Sequence, residues 1–496
     1  MENQFDLMII GSGPGGYVAA IKAAKLGKKT AIVECREIGG TCLNRGCIPT
    51  KTLMHSSHLY YEAQHLAELG VVVEGIRLDF EKLRERKESV LSRMRQGIVG
   101  LLEVNKVTIL HGQARITGPN TVEVSIIEQQ SNVQSELEKN GQDMNDQEKD
   151  PVEQKVTELY HTEKILIATG SKPVVPRLEG ADLPNVITSD ELLAMEKLYQ
   201  KLLIIGGGVI GIEFATIYQE MGYQVEIIEA MDRILPNMDK EISQSIAMSL
   251  KKKGVTIHTK AKVTRILQGQ GQSLICEYSE KDTVCTTEAE GILIAVGRRA
   301  NTEELFVEGL DLAMDGASIR VKEDFETSIP GIYAIGDVVN KAGQLAHVAS
   351  AQGIVAVEKM FGHKSSITLS VIPSCIYTTP EAASVGMSED EATQAGFDVK
   401  IGKYPMLGNG KTLLSAGERG FIKVIADAST LRILGAVLLC DRATDMVSEF
   451  ATAIVHGLTV KDMAAVIRPH PTYSEAITEA VEDVEGMAIH LIPKRV

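Results

Sequence analysis

The sequence predicts an α/β protein with two Rossmann-like units, and three observations carry that prediction. A G-x-G-x-x-G turn stands between an apolar run and a helix-periodic stretch near the N-terminus. The same arrangement recurs in mid-chain, and each copy is followed by a second apolar run that ends in glutamate. A two-cysteine segment lies just beyond the first copy.

Leu7-Met-Ile-Ile10 reads as a buried parallel strand. Gly11-Ser-Gly13-Pro-Gly-Gly16 follows, then a helix from Tyr17 to Leu26, then the strand Lys29–Val33 ending at Glu34. Gly11 allows the tight turn, Gly13 lets a pyrophosphate approach the backbone, and Gly16 lets the helix pack close to the strand. The helix N-terminus then offers free N–H groups to phosphate. In the second copy, Leu202–Ile205 is the strand, Gly206-Gly-Gly208-Val-Ile-Gly211 the loop, and Gln224–Ile228 the strand ending at Glu229. Two fingerprints mean two dinucleotides. A carboxylate at Glu229 hydrogen-bonds a free ribose 2′-OH and repels a 2′-phosphate, which favours NAD over NADP. Arg233 lies past the strand end and reads as a solvated charge.

Length and composition narrow the class. At 496 residues the chain has room for several domains and large cores. Its net charge of −15 argues against nonspecific nucleic-acid binding. No apolar run approaches the roughly 20 residues of a membrane span. Seven cysteines in a chain this long do not form a disulfide framework, and they fit a reducing compartment. The start, Met1-Glu-Asn-Gln-Phe-Asp6, is unlike a signal or transit peptide, so the expected location is cytoplasmic.

Cys42 and Cys47 stand in Gly40-Thr-Cys42-Leu-Asn-Arg-Gly-Cys47-Ile-Pro-Thr-Lys51. Such a pair can form a disulfide, take up two electrons by opening to two thiols, and exchange those electrons with a flavin. In a regular helix, residues five apart point roughly 140° from one another. A disulfide needs converging Cβ atoms, so the helix must break between the sulfurs. Gly46 permits that break, and Pro49 limits helix formation locally. The alternatives are two free buried thiols or half of a metal site; the other five cysteines show no metal-ligand spacing. Near the C-terminus, prolines flank His470 in Pro469-His470-Pro471-Thr-Tyr-Ser-Glu475. Glu475, expected at a helix start, can bond one ring nitrogen and leave the other as an acceptor. Thiol–disulfide exchange needs such a base to form the thiolate.

In this order, across nearly the whole chain, these motifs resemble the flavoprotein disulfide reductases. Further matching elements are Ala168-Thr169-Gly170, Gly297-Arg-Arg299, Gly336-Asp337 and Leu345-Ala346-His-Val-Ala349. The resemblance implies an α/β architecture of two Rossmann-like dinucleotide-binding domains, for FAD and NAD, plus a C-terminal α+β dimerisation domain. The implied spans are 1–172 for the first part of the FAD domain, 173–296 for the NAD domain, 297–365 for a return to the FAD domain, and 366–496 for the interface domain of a homodimer. FAD would be held by Gly11, Gly13, Gly16, Glu34, Lys51, Thr169, Gly170, Gly336, Asp337 and Ala346. NAD would be held by Gly206, Gly208, Gly211, Glu213, Glu229 and Gly297. Cys42, Cys47, His470 and Glu475 would be catalytic, with no metal and with Cys42 the more accessible sulfur. Lys51 is expected to pair with Glu213.

Within the family, the resemblance is strongest to enzymes that oxidise dihydrolipoyl groups carried by a protein of a 2-oxoacid dehydrogenase or glycine cleavage complex. His470 of one subunit would then face the disulfide of the other. A glutathione-type reductase would share the cysteines and His470, but it would usually carry basic residues at the second ribose site. Mercuric or thioredoxin reductases would end in extra thiols, and the tail 488–496 has none. A non-enzymatic subunit would have no use for an intact set of relay residues. Two departures stand out. An acidic, aromatic-free stretch at about 128–156 reads as a loop inserted into a small β-meander. Arg468 replaces the second histidine that many lipoyl-acting members carry.

Overall fold

A computed structural model of the chain describes residues 4–127, 155–339, 343–417 and 419–492. The acidic stretch lies outside the described residues, except that Lys155 and Val156 open the strand Lys155–Ile167. Ile127 pairs with Lys155 across an antiparallel ladder, so the expected meander stands on either side of it.

The chain divides into two compact units. The first comprises Met1–Asn44, Leu91–Lys172 and Arg299–Ile367. Its seven-stranded sheet runs Thr108–His111, Thr30–Glu34, Gln4–Ile10, Lys155–Ile167, Thr121–Ile127, Gln113–Gly118, with Ile332–Ala334 also on Lys155–Ile167. Gln4–Ile10 pairs in parallel with both of its neighbours. Leu7, Met8, Ile9 and Ile32 are fully buried because both faces of this central region are covered. One cover is the crossing of helices Pro14–Lys25 and Ala346–Met360. The crossing is close because glycine lines it: a Cβ on Gly353 would lie 2.6 Å from the Gly15 carbonyl oxygen.

The second unit comprises Arg45–Val90, Pro173–Arg298 and Thr368–Val496. It contains a five-stranded parallel sheet ordered Thr256–Thr259, Gln224–Glu229, Lys201–Ile205, Gly291–Ile294, Val186–Ile187. Beside it lies a three-stranded antiparallel sheet, Ala261–Gln268, Leu274–Glu280 and Thr283–Ala289. The C-terminal part is α+β. Its five-stranded antiparallel sheet is ordered Ser374–Ile376, Ala382–Gly386, Ile433–Leu439, Phe421–Asp427, Val399–Pro405. Helices Ala443–His456 and Glu475–Glu482 pack on it through Val447, Phe450, Ile477 and Val481. Among the described residues no helix is long and apolar enough to cross a membrane.

The Gly15–Gly353 approach leaves no space for even a methyl group, so Gly353→Ala must part the two helices. The expected cost is about 1–3 kcal/mol. Thermal unfolding measures it: the transition should fall by roughly 2–10 °C, and an unchanged midpoint would show that the crossing is not tight.

Candidate active site

Both glycine loops form as the sequence predicts. Gly11 and Gly206 take φ values of +100° and +110°, and a Cβ on either would sit 2.4 Å from a carbonyl oxygen of the neighbouring strand exit. A Cβ on Gly16 or Gly211 would lie 1.9 or 2.1 Å from the carbonyl oxygen of the loop's own first glycine. Gly13 and Gly208 differ: a Cβ there would meet nothing within 4 Å. They are the N-caps of helices Pro14–Lys25 and Val209–Glu220, and neither helix has a side-chain cap or an acid in its first turn. Each loop therefore offers open backbone and uncapped N–H groups, which suits the pyrophosphate of a dinucleotide.

The strand-end acids are buried and already hydrogen-bonded. Glu34 accepts from the Ser12 N–H at 2.9 Å, the Ser12 hydroxyl at 2.7 Å and the Arg36 N–H at 2.9 Å. Glu229 accepts from the N–H groups of Gly207 and Met231, both at 2.6 Å. Each acid thus braces its glycine loop, and carboxylate lone pairs remain for a ribose hydroxyl. Arg233 is not a solvated charge. It is partly buried and donates to the Pro236 carbonyl at 2.8 Å, because the turn after the strand folds back over it.

The remaining first-unit positions lie at strand exits. Ser171 donates to Asp337 at 2.7 Å, Thr169 to the Asn301 carbonyl at 2.7 Å, and the Gly336 N–H to Gln352 at 2.7 Å. Gly170 adopts φ +71°, and Ala346 is the first residue of its helix. In the second unit, the Gly297 carbonyl accepts from the Val174 N–H at 3.0 Å.

The cysteines occupy successive helices. Cys42 lies in Gly40–Arg45 and Cys47 opens Cys47–His65; Gly46 between them has φ −150° and ψ −114°, outside helical values. This is the required break. Pro49, expected to limit the helix, sits in its first turn, where the missing N–H costs nothing. Asn44 fastens the first short helix, donating to the carbonyls of Gly40 at 2.9 Å and Ile38 at 3.1 Å. Arg95 in turn donates to the Asn44 side-chain oxygen at 3.2 Å. In the single chain Cys47 is exposed and Cys42 half-buried. The reason is position: Cys42 is inside its helix, whereas Cys47 stands at an open helix start.

Four residues after Cys47, and so on the same helix face, comes Lys51. Its ammonium bonds both carboxylate oxygens of Glu213 at 2.7 Å. Glu213 is buried in helix Val209–Glu220 and also accepts from the Tyr377 N–H at 3.3 Å. The Tyr377 ring lies under the ammonium, 4.6 Å from it. Burial first, then the nearby thiols and carboxylates, push the Tyr377 phenol up to about 12, so it stays neutral. Sequence reasoning missed Tyr377 as a partner of Lys51; its only signal is the run Val371–Pro380, which resembles the start of the family's interface domain.

His470 and Glu475 meet as expected. The ring Nδ1 lies 2.8 Å from Glu475 Oε1, and Glu475 Oε2 accepts from the Thr472 N–H at 2.8 Å. Burial alone would raise the Glu475 carboxyl; the Thr472 N–H and the imidazole outweigh it and hold the group below its ordinary value. Glu475 is therefore a charged partner that orients the imidazole through Nδ1. The His470 side chain is 78% exposed, which leaves Nε2 accessible for a proton. Among the described residues no cluster of three or more His, Cys, Asp or Glu side chains is arranged to hold a metal ion.

Known proteins share this architecture over its full length. The family model described as pyridine nucleotide-disulphide oxidoreductase matches residues 5–353, and the dimerisation domain of the same family matches 372–481. A dihydrolipoyl dehydrogenase from Bacillus subtilis is 42% identical, with 99% of this chain and all of that protein covered. One from Geobacillus stearothermophilus is 37% identical, covering 99% and 98%. The HOCl-induced flavoprotein disulfide reductase RclA from Escherichia coli, solved as a Cu(II) complex, superimposes with TM-score 0.82 at 28% identity, covering 97% and 99%. LpdA from Mycobacterium tuberculosis shares the fold with TM-score 0.83 at 24% identity, covering 96% and 99%. With both family models matched and full-length relatives at 37–42% identity, this chain belongs to the pyridine nucleotide-disulphide oxidoreductases and, within them, to the dihydrolipoyl dehydrogenase family.

Proposed function

We propose that this chain oxidises protein-bound dihydrolipoyl groups to lipoyl groups and reduces NAD⁺, acting as a homodimer. The observation that carries this reading is the cysteine pair on broken helices, with the Lys51–Glu213 pair one turn beyond Cys47. The balance is dithiol plus NAD⁺ giving cyclic disulfide, NADH and a proton. FAD would be held at Gly11–Gly16, Glu34 and Asp337 and would supply two-electron transfer between the enzyme thiols and NAD⁺, which Gly206–Gly211 and Glu229 would hold.

The chain's own residues handle sulfur and protons. His470 takes a proton from one substrate thiol at Nε2, and Glu475 stabilises the imidazolium through Nδ1. The substrate thiolate attacks Cys42, the Cys42–Cys47 bond breaks, and Cys47 leaves as thiolate. The second substrate thiol attacks the substrate sulfur of the mixed disulfide; lipoyl forms, the proton of that thiol passes to the departing Cys42 sulfur, and His470 keeps the first proton. Cys47 is assigned the flavin-facing role because it shares a helix face with Lys51. The uncapped helix start at Cys47 and the fixed ammonium of Lys51 both favour negative charge there.

Dimerisation is supported by exposed apolar side chains towards the end of the C-terminal part: Ile467, Met487, Ile489 and Ile492 are all solvent-facing in the single chain. In that dimer His470 serves the disulfide of the other subunit. The partner that delivers substrate is a lipoyl-bearing protein of a 2-oxoacid dehydrogenase or glycine cleavage complex. A glutathione-type reading is disfavoured by Glu229, whose carboxylate would repel a 2′-phosphate.

The FAD-loaded enzyme should turn over dihydrolipoamide with NAD⁺ and be nearly inert towards glutathione disulfide with NADPH; the opposite preference would refute the assignment. Cys47→Ser should abolish lipoyl turnover while absorbance still reports bound FAD, and surviving turnover would exclude the thiol relay. His470→Ala should lower kcat for dihydrolipoamide by about 10²–10⁴-fold, and a rate unchanged in steady-state assays would remove the general base.

A further inference from the structure

We propose that Arg468 is a positioning residue that holds the His470–Glu475 pair in place for thiol deprotonation. The proposal rests on the reading of His470 as the base. The loop carrying His470 runs between helices Val460–Ala464 and Glu475–Glu482. Two of its residues face solvent: Ile467 is 95% exposed and the His470 side chain 78%. Arg468 points the other way, and its side chain is only 5% exposed.

That buried guanidinium gathers four groups. It forms an ion pair with Glu449 on helix Ala443–His456. It donates to the Thr478 hydroxyl on helix Glu475–Glu482 at 2.7 Å. It also donates to the carbonyls of Met463 and Val466, both at 3.3 Å, at the exit of the preceding helix. Three helices and the loop itself thus meet on one side chain. Glu475 ties His470 to the helix that follows, and Arg468 ties the loop to the helix before it and to the helix at its side. Without Arg468 the His470–Glu475 pair would keep its internal bond and lose its fixed position. Nη1 faces Thr478 and the two carbonyls while Nη2 faces Glu449, and a lysine ammonium, with a single nitrogen, would satisfy fewer of them.

The test uses the FAD-loaded enzyme and compares kcat/KM for dihydrolipoamide with NADH-driven ferricyanide reduction, which needs no thiol base. Arg468→Met and Glu449→Gln should each lower dihydrolipoamide turnover by about tenfold to a hundredfold and leave ferricyanide reduction within about twofold. Arg468→Lys should recover part of the loss. In a His470→Ala background, Arg468→Met should cause no further loss, because its effect passes through the imidazole. An equal loss in both backgrounds, or a loss below about threefold in the otherwise unaltered enzyme, overturns the proposal. Should Arg468→Met not yield folded flavoprotein, Glu449→Gln and Arg468→Lys decide by the same criteria. Absence of dihydrolipoamide turnover before any substitution overturns the functional reading itself, and is seen separately from either variant.

Discussion

The Lys51–Glu213 pair is the interaction that fixes the position of the helix begun by Cys47. It joins the helix begun by Cys47 to the helix begun by the second glycine loop. The carboxylate is buried, so losing the lysine would strand a charge in a low-dielectric setting, typically at a cost of about 3–5 kcal/mol. Bidentate contact leaves the ammonium little freedom, and the Tyr377 ring closes one side of it. The result is a positive charge at a set distance along the helix from the Cys47 sulfur. Gly211 is part of the same device, since only a residue without a side chain lets the Glu213 helix pack this closely on its loop.

What the sequence made legible was local. The strand–glycine–helix–glutamate units are written in consecutive residues, and backbone sterics leave them one shape. The break at Gly46 follows from the spacing of the sulfurs, and the His470–Glu475 contact from a five-residue separation ending at a helix start. The unread parts depend on contacts between distant residues. Tyr377 meets Glu213 across 164 positions, which no periodicity reveals. Arg233 read as a surface charge because nothing local announces that the Pro236 carbonyl turns back to it. Arg468 read as a departure in the substrate region, whereas its side chain faces inward to Glu449.

Fold likeness alone would not have chosen among the chemistries of this family. RclA and LpdA share the whole architecture at low identity. The choice falls on what a superposition treats as detail: the acid at 229, the His470–Glu475 pair, and the relatives that match over the full chain at higher identity. Architecture supplies the frame, and site chemistry selects the reaction.

The bonds made by Glu34 and Glu229 have a consequence for cofactor exchange during evolution. Each acid is a structural brace for its glycine loop as well as the carboxylate proposed to meet a ribose. Replacing Glu229 with a cation would therefore strip acceptors from the N–H groups of Gly207 and Met231 at the same moment that it welcomed a phosphorylated nucleotide. A lineage could not cross to the other nicotinamide by one charge reversal; it would need a coordinated second change to re-brace the loop. Nucleotide choice in this protein is thereby protected by mechanics as well as by charge.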